Sequence, residues 1–180
     1  FFNGTRVLVT GGAGFIGSHL AEVLVSLGAH VIVLDDLSGG DTANLASFGP
    51  VEFNRGSILD IEAIRSCVAG CRYVFHLAAL GSVPRSIADP ATSNDVNVTG
   101  TLNVLIAARD AGVKRVVFSS SSSVYGENPA LPKREDLATL PISPYAVSKL
   151  AAESYTRVFS KVYGLETVSL DDLSPGEVVI

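Results

Sequence analysis

The sequence predicts a doubly wound α/β domain, a parallel sheet of six or seven strands with helices on both faces. Three observations carry that expectation. Short apolar runs at 7–10, 31–34, 51–53, 73–79, 113–118 and 166–170 alternate with stretches of helical spacing, and the crossovers are long enough for parallel pairing. The first run breaks into Gly11-Gly12-Ala13-Gly14-Phe15-Ile16-Gly17, a tight turn between strand and helix. The 180 residues are 47% hydrophobic and 17% charged, enough for one domain with a real core and too few for two.

The elements follow in order. The strand at 7–10 feeds a helix over 13–27 that Gly28 stops, and the strand at 31–34 ends in Asp35 and Asp36. Residues 37–41 form a loop whose Ser and Asp signal a short helix ending by Gly49-Pro50. After the third strand, Ser57-Ile58-Leu59-Asp60 leads into a helix through Val68, and Gly70 stops it. The fourth strand runs into Leu77, Ala78 and Ala79, whose small side chains would let a ring system approach the backbone.

Residues 81–95 are polar and interrupted by Pro84 and Pro90, so a loop with at most a short helix is expected. A helix over 96–111 closes at Gly112, and the fifth strand ends in five serines at 119–123. That run reads either as low-complexity loop or as a ligand edge, since parallel sheets bind ligands where strands end. A proline-rich loop fills 128–143, Pro144 opens a helix to about Tyr163, and the sixth strand covers 166–170. Glu177-Val178-Val179-Ile180 is a candidate seventh strand.

A net charge of −5 with no basic run excludes nucleic acid and an anionic membrane surface as expected partners. Cys67 and Cys71 lack the spacing and companions of a zinc site, so no metal is expected and both read as buried thiols of a cytoplasmic protein. Neither a membrane span nor a signal peptide is visible.

Gly12-x-Gly14-x-x-Gly17 fits the dinucleotide fingerprint: one glycine for the turn, one for approach to a pyrophosphate, one for close packing of helix on strand. A plain strand-to-helix joint is the alternative. The acid Asp35, about 20 residues on, is where a ribose diol is held, and its charge repels a 2′-phosphate, so NAD is favoured over NADP. Tyr145 and Lys149 share a helix face, and an ammonium near a phenol would lower its pKa and make Tyr145 a proton acceptor. His19 and His76, in apolar contexts, read as packing or hydrogen-bonded residues, and His30 as surface. Arg85 reads equally as a phosphate contact or a solvated charge.

The chain resembles the extended short-chain dehydrogenase/reductases, in particular NAD-dependent nucleotide-sugar 4-epimerases. The matching residues are Thr10 through Gly17, Leu34-Asp35-Asp36-Leu37, Phe75-His76-Leu77-Ala78-Ala79, Asn97 with Gly100-Thr101, 119–126, and Ser143-Pro144-Tyr145-Ala146-x-Ser148-Lys149. The resemblance implies a Rossmann-like fold and the cofactor NAD. It implies that Tyr145 is the acid/base, that Lys149 tunes it and holds the nicotinamide ribose, and that Ser121 bonds the reacting sugar oxygen. Around the cofactor it implies Gly11, Gly14, Phe15, Ile16 and Gly17, then Asp35, Asp36 and Ser38, then Ser57 and Ile58. Leu77, Ala78, Ala79, Asn97, Ser119, Ser120, Tyr145 and Lys149 complete that set.

For the substrate, a UDP-sugar, it implies Gly81, Ser82, Val83, Ser121, Ser123 and Tyr145. Gly81-Ser82-Val83-Pro84-Arg85-Ser86 is similar to members acting on UDP-N-acetylhexosamines. Related dehydratases and decarboxylases carry an acid before Val124-Tyr125-Gly126, where this chain has Ser123. Ser57 stands where the family has an aspartate near the adenine, and Asp171-Asp172 stands where the family continues Arg-Tyr into a substrate domain. That departure leads to the expectation that the substrate domain is absent, with 171–180 an atypical tail. The activity expected is 4-epimerisation of UDP-glucose/UDP-galactose or the N-acetyl pair. A trimmed or engineered non-catalytic NAD-binding module is the alternative, and a homodimer stays open.

Overall fold

In the computed structural model, which describes residues 1–171, six parallel strands lie in the order β3-β2-β1-β4-β5-β6. The strands are β1 Arg6–Thr10, β2 His30–Asp35, β3 Glu52–Arg55, β4 Tyr73–His76, β5 Arg115–Ser119 and β6 Glu166–Leu170. The expected seventh strand at 177–180 lies outside the described residues. The chain moves outward from β1 to β3, then returns to pair β4 against β1 with Thr10 opposite His76. A crevice opens where the order reverses, beyond the carboxyl ends of β1 and β4.

Alternation along β1 explains why the sheet is buried on both sides. Leu8 packs with Ile32, Leu34, Val74 and Val116 under Ile64, Val68, Leu105 and Phe159, whereas Val7 and Val9 pack with Val31 and Val33 under Ala21 and Leu24. The first group comes from α2 (Ile61–Val68), α5 (Thr101–Asp110) and α6 (Pro144–Tyr163), the second from α1 (Phe15–Ser26). Cys67 and Cys71 are buried and unpaired, and burial pushes the Cys71 thiol up to about 11, which keeps it protonated and inert. Among the described residues no helix is long and apolar enough to cross a membrane.

Most boundaries fall within a few residues of expectation, because caps decide them. Asp60 accepts from the N–H groups of Glu62 and Ala63 at the start of α2, Ser143 accepts from Ala146 at the start of α6, and Gly164 closes α6 with φ of 71°. One expectation fails. Residues 81–95 form two short helices, α3 (Val83–Ala88) and α4 (Pro90–Asn94), followed by a π-turn over Asp95–Gly100 that leads into α5. Pro84 and Pro90 sit in first turns, where a missing N–H costs nothing, and Ser82 and Asp89 cap the two helices by accepting from Arg85 and Thr92. The prolines mark helix starts here, not breaks.

Candidate functional site

A cleft opens at the ends of β1, β2 and β4. It brings together the predicted Gly11, Gly14, Asp35, Asp36, Ser38, Ile58, Leu77, Ala78 and Ala79, together with Leu34, Gly39, Gly40, Gly56, Leu80 and Val96, which sequence reasoning missed. Gly39-Gly40 after the paired acids was an available signal: a Cβ on Gly40 would stand 2.7 Å from the Ala13 carbonyl carbon.

The glycines are required by contact. A Cβ on Gly11, whose φ is 71°, would lie 2.6 Å from the Ala78 nitrogen. One on Gly17 would lie 2.2 Å from the Gly11 oxygen. No side chain caps α1 at Gly14, which lines the cleft, and its first turn holds no acid, so no side chain answers its leading N–H groups. Phe15 and Ile16 stand exposed there, and His19 bonds the Phe15 carbonyl.

Asp35 is 7% exposed and ties this edge together: one carboxylate oxygen accepts from the Ala13 N–H at 2.9 Å, the other from Leu37 at 2.8 Å. Each oxygen keeps a second lone pair for a further donor. Asp36 accepts from Ser38 N–H. Ser57 accepts from Leu59 N–H, while its neighbours Gly56 and Ile58 form the cleft wall.

Asn97 spends its amide inside the protein. Its oxygen accepts from Leu80 N–H at 2.8 Å, and its nitrogen donates to Leu80 O and to Ser148 Oγ. It thereby braces the loop after β4 against α6. His76, fully buried, joins this brace: Thr10 lies at 2.7 Å from Nδ1, Thr101 at 2.9 Å from Nε2, and Thr101 donates to Asn97 O. Because the Thr101 proton goes to Asn97, Nε2 carries the imidazole hydrogen.

Burial lowers His76 to about 3, with Lys149 adding to the effect. A folded pKa below the unfolded value of 6.5 stabilises the fold above pH 6.5 and loses that stability as pH falls toward 3, at about 1.4 kcal/mol per pH unit in the limit. The melting temperature should therefore fall progressively as pH drops across that window, and the His76 ring resonances should stay those of the neutral ring until pH nears 3. A His76 that titrates near 6.5 in the folded chain would contradict this.

On α6, Tyr145 and Lys149 share a face as expected, and the serine loop after β5 meets them. Lys149 is 4% exposed; its Nζ donates to Ser119 O at 2.7 Å and lies 4.8 Å above the Phe118 ring. Burial lowers it to about 8. Ser121 accepts from the hydroxyl of Ser123 at 2.8 Å and caps the turn Ser122–Tyr125. Ser120 faces the other way and donates to Glu153.

The expected depression of Tyr145 by Lys149 is overturned. Burial pushes the Tyr145 hydroxyl up, and the opposing pull comes from Ser121, since the ammonium is committed to Ser119 O. Of the segment expected near substrate, Gly81 lies just before α3, Ser82 caps it and Val83 begins it. Arg85 is exposed on α3.

Residues 7–171 match the model of the NAD dependent epimerase/dehydratase family. A UDP-glucose 4-epimerase of Mycolicibacterium smegmatis is 45% identical over 167 residues, covering 89% of this chain and 53% of that protein. A UDP-N-acetylglucosamine 4-epimerase structure from Methanobrevibacter ruminantium, in complex with UDP-N-acetylmuramic acid, superposes with a TM-score of 0.89 at 40% identity, over 94% of this chain and 55% of that one. A dTDP-glucose 4,6-dehydratase of Streptomyces venezuelae with NAD bound gives 0.87 at 38% identity, over 93% and 55%. The chain spans about half the length of these relatives. A glycine cradle backed by Asp35, a Tyr-x-x-x-Lys helix and a match along nearly the whole described chain lead to one conclusion: this chain belongs to the NAD dependent epimerase/dehydratase family.

Proposed function

We propose that this chain binds NAD in the cleft between β1 and β4 and carries the residues for 4-epimerisation of a UDP-hexose, UDP-glucose/UDP-galactose or the N-acetyl pair. The observation that carries the reading is that two groups lie past the carboxyl ends of strands in one parallel sheet: the cradle of Gly11, Gly14 and Asp35 at β1 and β2, and the set Ser121, Tyr145 and Lys149 gathered beyond β5. The residues fit the cofactor: Gly11 and Gly17 let the turn after β1, the loop after β4 and the start of α1 close on one another, and both Asp35 oxygens keep a lone pair for a ribose diol. NAD, when bound, supplies hydride acceptance and return at C4. Tyr145 moves the hydroxyl proton, Ser121 orients the sugar oxygen, and Lys149 holds the nicotinamide ribose while adding positive charge. Phe15, Ile16 and Gly17 offer N–H groups to the pyrophosphate, and Ser57, Asn97, Ser119 and Ser120 support the wall. Gly81, Ser82, Val83 and Ser123 face the substrate.

Ser123, neutral where dehydratases carry an acid, supports chemistry confined to one carbon. The substrate class is read from the relatives' names and from the segment Gly81 to Ser86. A non-catalytic NAD-binding module is the second reading, favoured by a cleft lined by Gly11, Gly14 and Asp35 but not by Ser121, Tyr145 or Lys149. Assaying the chain for interconversion of each UDP-sugar pair separates the two. A second copy is the proposed partner: Val147, Tyr155, Val158 and Val162 form an exposed apolar stripe along α6, and light scattering reads the dimer.

Asp35 sets cofactor choice. Calorimetry should give NAD at least about tenfold tighter than NADP, because a carboxylate accepts from a diol and repels a phosphate. Asp35→Ala should cost NAD about 10–100-fold, the scale of a charged hydrogen bond, and NADP less. Equal affinities in the unaltered chain would refute the assignment.

A further inference from the structure

We propose that Ser86 is a positioning residue that fixes Tyr145 to the segment beginning α3; the proposal rests on the reading of Tyr145 as the proton carrier. It arises from accounting for the N–H groups that open α6, where those ahead of Val147 have no i→i−4 partner in the helix. Pro144 has no N–H. Ala146 donates to Ser143 Oγ at 3.1 Å, and Val147 donates to Ser143 O at 3.0 Å. Tyr145 alone is answered from another element: its N–H donates to Ser86 Oγ at 3.0 Å.

Ser86 is 0% exposed, so no water can replace it. Its own hydrogen goes to Val83 O at 2.7 Å, which fixes the side-chain rotamer, and its N–H donates to Ser82 O. Ser82 in turn caps α3 by accepting from Arg85 N–H. The Ser86 hydroxyl therefore joins Val83, and its N–H joins Ser82, both proposed to face the sugar, to the backbone of the residue proposed to move its proton. The site requires a short side chain that accepts and donates at once, which serine satisfies and alanine does not. Any shift of α3 on ligand contact reaches Tyr145 directly, without passing through the sheet.

The test is amide exchange and ring-carbon NMR of Tyr145 in the isotope-labelled 180-residue chain, unaltered and as Ser86→Ala and Ser86→Thr. In the unaltered chain the Tyr145 amide should be protected like those of Ala146 and Val147. In Ser86→Ala it should exchange at least about tenfold faster while Ala146 and Val147 change little, because a buried donor left without a partner favours local opening. The Tyr145 ring should also titrate nearer the ordinary value of 10, since a loosened first turn admits water. Ser86→Thr, which keeps the hydroxyl, should restore both.

An unprotected Tyr145 amide in the unaltered chain would overturn the proposal, as would Ser86→Ala accelerating all first-turn amides alike or leaving the Tyr145 ring unmoved. If Ser86→Ala does not fold, the unaltered protection and Ser86→Thr decide. None of these readouts needs NAD or sugar, so their failure leaves the epimerase reading standing, and failure of the epimerase assay leaves this one.

Discussion

Gly17→Ala is expected to lower NAD affinity at least about 100-fold and to lower the melting temperature with it. The added methyl would stand 2.2 Å from the Gly11 oxygen and 2.7 Å from the Gly12 Cα, both backbone atoms that cannot swing aside as a flexible side chain would. Relief requires α1 to move away from the β1 turn. That motion pulls its leading N–H groups from the pyrophosphate and disturbs the Gly11 to Ala78 contact that shapes the cleft. Overpacking of a tight site costs about 1–3 kcal/mol, and a 100-fold loss of affinity corresponds to about 2.8 kcal/mol. Calorimetry and a thermal melt read the two effects. Binding within a few-fold of the unaltered chain would show that the cradle is not where NAD sits.

Tyr145→Phe is expected to reduce C4 hydride transfer by about 10²–10⁴, the range for losing a positioned proton carrier, while NAD affinity stays nearly unchanged. The substitution removes one hydroxyl from α6 and leaves Gly11, Gly14, Asp35 and Ala78 in place. Single-turnover formation of reduced nicotinamide with a UDP-sugar reads the loss. Undiminished transfer would send the search to another base.

The pH behaviour has a definite sign. Burial holds the phenol above its ordinary 10, so without cofactor Tyr145 is a proton donor across the neutral range. A nicotinamide cation beside it favours the phenolate, so adding NAD should move the ring titration down. A midpoint below 10 without cofactor would contradict the geometry of Lys149 described above.

The sequence alone determined the fold and the sheet edge at which the candidate site is read. Period and punctuation are local: apolar runs of strand length, Gly28, Gly70, Gly112 and Gly164 as stops, and Pro144 as a start decide elements through backbone sterics and caps. Helix spacing is local too, which is why Tyr145 and Lys149 fall on one face as read. Residues 81–95 were misread because a proline in a first turn and a proline in a break look alike until the partners of Ser82 and Asp89 are known.

Only the tertiary structure decided what each polar group spends its bonds on. Asp35 holds the glycine turn, Asn97 braces Leu80 against Ser148, Ser120 turns to Glu153, and Lys149 bonds Ser119 O instead of reaching the phenol. These partners lie 17 to 51 positions apart or more than a helix turn away in sequence. Hydrogen bonds and desolvation act over a few ångströms of space, so a sequence can name the groups at a site, and packing alone settles which of them remain free and what charge they carry.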